Sequence, residues 1–198
     1  MNKRRKGTFW IVVGVLLTGT ACALAGYNIY DEKRAESVRD SVVTELITKT
    51  DSPEYLVDYE KHPEIEMPTE AVQGENYIGV LEIPSLGLQL PVLSDWSYEG
   101  LKVAPCRYTG SAYQGNMVIA AHNYECHFGS IKSLLQGDEV IFTDMDGNRF
   151  SYEVVEMEIL EPTAIEEMVS GDWDLTLFTC NYSGQARVTV RCVEKYEK

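Results

Sequence analysis

Histidine is scarce in this sequence: three occur in 198 residues, at positions 62, 122 and 127. An imidazole acid or base is therefore confined to few places. Positive charge is short as well, with 17 Lys and Arg against 31 Asp and Glu and a formal net charge of −14. Four basic residues are crowded into Lys3–Lys6, so the remainder carries −14 less 4, or −18. A surface that acidic argues against nucleic acid or an anionic lipid face as partner. There is no glycine-rich phosphate loop, no acidic metal-binding loop and no internal repeat. Nucleotide-dependent and repeat-built classes are thereby excluded, and no cofactor or metal is expected.

Long apolar runs are limited to one. Gly7 to Tyr30 is a stretch of 24 uncharged residues rich in Val, Leu, Ile and Ala, enough to cross a bilayer as a helix. Basic residues before it, and Asp31 and Glu32 after it, orient the N-terminus inside and the rest outside. Ala23-Leu24-Ala25 has the small-x-small form of a signal-peptidase site, and Thr20-Ala21-Cys22 faintly resembles a lipoprotein site. The run exceeds the usual signal-peptide core, so an uncleaved anchor is the adopted reading. All three alternatives put the remainder outside the cytoplasm. No second run of spanning length follows, and no C-terminal anchor is expected.

The chain therefore divides into a cytoplasmic tip and membrane anchor over residues 1–30, a juxtamembrane helix and spacer over 31–75, and a folded domain over 76–198. Ala35, Val38, Val42, Leu46 and Ile47 recur at helical spacing, which predicts an amphipathic helix that Asp51-Ser52-Pro53 stops. Three prolines among many acidic residues make the segment up to Glu75 a spacer, or a strap across the domain surface. His62 lies there and reads as solvated. Tyr77–Ile83 and Leu88–Leu93 read as strands around Pro84-Ser-Leu-Gly87. Cys106 to Gly115 reads as loop, Met117–Ala121 as a fully apolar strand and Ser130–Leu135 as a short helix. Asp146-Gly147 is a hairpin turn signal between Glu139–Thr143 and Asn148–Glu158, and Pro162–Asp172 is a long connection. Seven or eight strands with short helices predict a mainly β fold, a closed β-barrel, preceded by a transmembrane helix.

The chemistry converges on one stretch. Leu175, Leu177 and Phe178 are strand formers rising into Cys180, and Ser183-Gly184 makes a turn. In the next run Val188, Val190 and Cys192 alternate with Arg187, Thr189 and Arg191. A cysteine thus ends one strand and an arginine begins its neighbour. His122 ends the apolar strand before it. A thiol nucleophile needs a base or a positive partner, and a fixed guanidinium suits a developing oxyanion. A buried structural cysteine is the bland alternative. Alternation does not separate Arg187 from Arg191, which share a strand face.

The segment Thr176-Leu-Phe-Thr-Cys180 resembles the TLxTC signature of the sortase family of Gram-positive cell-surface transpeptidases. Ala121-His122-Asn123 is similar to that family's histidine segment, and Arg187-Val-Thr-Val to its arginine strand. The resemblance implies a sortase-type barrel in which Cys180 is the nucleophile, His122 the proton donor to the leaving amine, and Arg187 the oxyanion or backbone ligand. It implies cleavage of an LPxTG-like sorting signal, a thioester acyl-enzyme, and transfer to an amine acceptor of the cell wall or a pilin. By the same resemblance Glu161–Asp172 walls the substrate groove, with Ala164, Ile165, Met168 and Val169 as apolar contacts. Thr179 alternates away from the thiol and supports it. Asn181 and Tyr182, candidate substrate contacts with Thr179, open a loop that is short for the family. A single N-terminal anchor is similar to that of housekeeping-type enzymes, class A or D.

Three rivals stand beside this reading. His122, Cys126 and His127 invite a zinc site but lack a fourth ligand; Cys126 is instead a candidate to pair with Cys106, both outside the membrane. A papain- or NlpC-type hydrolase places cysteine before histidine, the reverse of the order here. The third is a non-catalytic extracellular binding module.

Overall fold

The computed structural model of the protein describes residues 3–50, 59 and 61–195, with side chains from residue 7 onward. Helix α1, Lys3–Thr50, opens the chain. Its first part, up to Arg34, forms a unit by itself and includes a stretch long and apolar enough to cross a membrane, with none of that stretch buried in protein. Phe9, Trp10, Leu16, Leu17 and Tyr27 stand exposed along it, a surface suited to lipid rather than to water.

The second unit begins at Ala35. Here α1 is amphipathic as its spacing predicts: Ala35, Val42, Val43 and Leu46 are buried, and Ile47 turns outward. The helix runs to Thr50; the expected stop at Asp51–Pro53 lies outside the described residues.

Strands β1 Glu70–Val72, β2 Glu75–Ile83, β3 Leu88–Leu93, β4 Cys106–Thr109, β5 Met117–Ala121, β6 Glu139–Asp144, β7 Arg149–Leu160, β8 Leu175–Cys180 and β9 Arg187–Glu194 follow. Eight close a ring in the order β2-β3-β4-β5-β8-β9-β7-β6, with β6 pairing back onto β2. The ninth, β1, is a three-residue partner of β2 within the expected spacer. Closure brings β2 and β6 together at Gly79, where a Cβ would sit 2.1 Å from the Thr143 carbonyl oxygen; only glycine fits.

Two expectations are corrected. Cys106–Thr109 is strand rather than loop: four residues between Pro105 and Gly110, bulged against β5, are too few to show alternation. Ser130–Leu135 reduces to a single 3-10 turn over Ile131–Ser133. The connection after β7 holds one short helix, α2, Ile165–Val169.

The barrel interior is filled by Leu81, Leu90, Ile119, Phe142, Tyr152, Leu177 and Val190, among others. A second core lies on the outer face of β2 to β5, where Val42 and Leu46 of α1 meet Tyr77, Val80, Leu93, Cys106 and Ala120. The strap reading holds at Tyr59, whose ring stacks on Tyr113 at 4.7 Å, and at buried Met67. His62 is exposed and contacts Glu64 at 3.3 Å.

Candidate active site

Register alone assembles the central row. In the parallel β5–β8 pair Ala121 lies opposite Thr179, so His122 and Cys180 are the next residues out on adjacent strands. In the antiparallel β8–β9 pair Cys180 lies opposite Arg187. Histidine, cysteine and arginine thus come side by side from three neighbouring strands. Thr179, buried, donates its hydroxyl to the Ala121 carbonyl at 2.8 Å, which pins β5 to β8 one residue below the thiol and the imidazole.

These residues open onto a groove of about 330 Å³ lined mostly by apolar side chains. Ala120 and Ala121 form its floor. Pro162, Ala164, Ile165 and Met168 form one wall, and Trp96, Tyr98, Leu101 and Tyr108 the other, with Phe178, His122, Thr179, Cys180 and Arg187 completing the lining. Of the residues singled out from the sequence, Cys180, His122, Arg187, Thr179, Ala164, Ile165 and Met168 meet here; Asn181, Tyr182 and Val169 do not. Asn181 closes the β8–β9 loop, its side chain accepting from the Ala186 amide at 3.3 Å and the Ser183 hydroxyl at 3.0 Å. Tyr182 points outward, 75% exposed.

The aromatic wall escaped the sequence reading. Phe178, Tyr108, Trp96 and Tyr98 form a continuous edge-to-face chain with centroid separations of 5.5, 5.8 and 4.9 Å. Phe178 shares a strand face with Cys180 and was accessible by alternation. Trp96 and Tyr98 lie in an irregular link with no periodicity to reveal them. A larger cleft of about 500 Å³, between Arg39–Thr44 and the β2–β3 turn, contains charged side chains but no nucleophile.

The two arginines separate clearly. Arg191 is buried; it binds Glu158 at 2.8 Å, the Met168 carbonyl at 2.8 Å, the Thr176 hydroxyl at 3.1 Å and the Glu167 carbonyl at 2.5 Å. Among the described residues Arg187 donates to the carbonyls of Gly184 and Ala186, at 3.3 and 3.4 Å. No carboxylate pairs with it among the described residues, so it keeps donors free for a bound anion.

The thiols separate too. All five cysteines are free, so Cys106 and Cys126 form no disulfide; both thiols are buried. Burial pushes Cys106 and Cys192 up to about 12, which leaves them protonated and inert. Cys180 is half-exposed in the groove.

His127 is turned into the protein and fully buried, and among the described residues neither ring nitrogen makes a hydrogen bond of good geometry, the Val103 backbone being a weak interaction only. Its ring packs on Tyr124 at 5.5 Å, and Tyr124 on His122 at 5.0 Å. Burial first, then the charges of His122 and Arg39, push its pKa down to about 4, against a weaker pull from the Val103 carbonyl. The folded protein therefore holds the neutral ring while the unfolded chain, near 6.5, takes up a proton first. Stability from this group is complete above pH 6.5 and is lost as pH falls toward 4, by on the order of 3 kcal/mol. Urea midpoints at neutral pH and near pH 4 test this: the acid-induced drop shrinks in His127→Phe, and an equal drop in both proteins refutes it.

The family model of the sortase domain matches residues 81–195. This chain belongs to the sortase family. Sortase A of Bacillus anthracis is 28% identical over 192 residues, covering 91% of this chain and 89% of its own. Among solved structures, a Clostridium perfringens Sortase D5 transpeptidase shares the fold with a TM-score of 0.62 at 22% identity, over 81% of this chain and 99% of that one. Sortase E of Streptomyces avermitilis gives a TM-score of 0.52 at 29% identity, over 61% and 88%. The matched span contains the whole His122, Cys180 and Arg187 row, and the eight-stranded closed barrel is the sortase fold. As a sortase, the chain is a member of a cysteine transpeptidase family, with an N-terminal helix suited to a single membrane pass.

Proposed function

We propose that this sortase cleaves an LPxTG-like sorting signal and transfers it to an amine of the cell wall or a pilin, from a domain held outside the cell by residues 1–30. The observation that carries the reading is the row of His122, Cys180 and Arg187 on adjacent strands beside an apolar groove. The Cys180 thiolate attacks the carbonyl carbon of the Thr-Gly bond. Arg187 donates to the oxyanion, whose negative charge it meets with free N–H groups. His122 gives its proton to the departing amine, the C–N bond breaks, and a thioester remains. The acceptor amine then attacks the thioester, its proton passes to His122, and the thiolate leaves. Ala164, Ile165, Met168 and the aromatic wall hold the apolar part of the signal, excluding water from the thioester.

Intact-mass spectrometry of the full chain in detergent, with a panel of LPxTG-like peptides, tests the proposal. The expected adduct equals the N-terminal peptide fragment, is absent from Cys180→Ala, and disappears on addition of amine. In the same assay a thiol alkylator labels Cys180 while Cys106 and Cys192 stay unlabelled until the protein is unfolded. A Cys180 inert to both reagents sinks the enzyme reading in favour of a structural thiol.

A further inference from the structure

The transpeptidase reading leaves the acceptor without a binding place. The groove is filled on its Trp96 and Ile165 sides by the acyl donor, so the incoming amine needs a separate surface at the same three residues. A cluster of suitable chemistry stands there. Tyr182 lies two residues beyond Cys180, and Glu125 three beyond His122, on the loops that leave β8 and β5 where the thiol and the imidazole sit. The Tyr182 hydroxyl faces the Glu125 carboxylate at 3.5 Å. Above the Tyr182 ring, 4.7 Å from its centroid, is the ammonium of Lys132, carried on the 3-10 turn Ile131–Ser133. None of the three lines the donor groove.

An aromatic face beside a carboxylate is the pairing that recognises an ammonium ion. Here it already holds one, supplied by the chain itself. The site is exposed on a domain of strongly negative charge, which draws cations toward it. We propose that Tyr182 and Glu125 receive the acceptor as its ammonium ion, and that Lys132 is an internal occupant which the acceptor displaces. This rests on the transpeptidase reading. The bound ammonium first gives up one proton to solvent water, leaving the free amine beside a His122 that is neutral after protonating the leaving amine. The nitrogen attacks the thioester carbonyl carbon, its second proton passes to His122, the C–S bond breaks, an amide forms, and Cys180 returns as thiolate beside a protonated His122.

The test uses the full chain in detergent micelles with a Leu-Pro-x-Thr-Gly donor peptide. The ratio of aminolysis to hydrolysis is followed against the concentration of triglycine, whose amino terminus is an ammonium ion, and of hydroxylamine, which is uncharged at neutral pH. Hydrolysis in each variant is the internal reference. Lys132→Met is expected to lower the half-saturating triglycine concentration about threefold, and Glu125→Gln to raise it about threefold, with hydroxylamine unmoved in both. A purely structural bridge between the loops predicts the same direction for both variants and an equal effect on hydroxylamine; that result, or no change with triglycine, overturns the proposal while acyl-enzyme still forms. If the unsubstituted protein forms no acyl-enzyme, the parent reading falls and this inference with it.

Discussion

Arg187→Ala is expected to lower the acylation rate constant by about 10²–10³, the cost of removing one oxyanion donor, while the protein stays folded. The side chain is half-buried and its partners are two loop carbonyls at 3.3 and 3.4 Å, with no carboxylate among the described residues. Little of the fold depends on it. What it offers on the proposed mechanism is a cation opposite Cys180 in the β8–β9 pair, where negative charge would develop as the thiolate attacks. Arg187→Lys keeps the charge but loses the planar fork, so most of the deficit should persist. Stopped-flow acylation with a quenched peptide measures the rate, and circular dichroism checks the fold. Full acylation by Arg187→Ala would remove the guanidinium from the mechanism.

Arg191→Ala is expected to do the reverse, costing roughly 3 kcal/mol of stability, as when one partner of a buried ion pair is removed. Its guanidinium binds Glu158 on β7, Thr176 on β8 and the carbonyls of Glu167 and Met168 on α2. Removing it strands those carbonyls and a carboxylate that is one-third exposed, which sets the cost near the lower end of that range. Because α2 carries Ile165 and Met168 of the groove wall, a rise in donor KM should accompany the lower urea midpoint. A stable Arg191→Ala protein that no longer acylates would exchange the assignments of the two arginines.

The pair shows where sequence pattern stops. Alternation puts Arg187 and Arg191 on one face of β9. Which meets the thiol and which is locked into α2 follows from the register Cys180 with Arg187 and Thr176 with Arg191, a pairing between strands rather than along one. The same limit explains the aromatic wall: Trp96 and Tyr98 belong to an irregular link, and their place beside Tyr108 and Phe178 depends on the chain path around the ring. It explains Cys106 and Cys126 as well. Their pairing was suggested by a loop reading and a place outside the membrane, yet Cys106 sits in β4 under α1 and both thiols are buried and free.

Much was legible in advance. A 24-residue uncharged run, strand alternation, the turn residues and the order histidine, cysteine, arginine are local features, each settled by neighbours one to four positions away. They sufficed to determine an apolar N-terminal helix, a mainly β barrel and a Cys180/His122/Arg187 family signature. Only the tertiary structure decided which eight strands form the ring while β1 stays a flap, that Arg191 is a strut, that His127 is a buried neutral ring, and that the Lys132 ammonium rests over the Tyr182 ring. Those outcomes depend on contacts between residues far apart in the chain. They are fixed by how β2 meets β6 and β5 meets β8, which no local periodicity encodes.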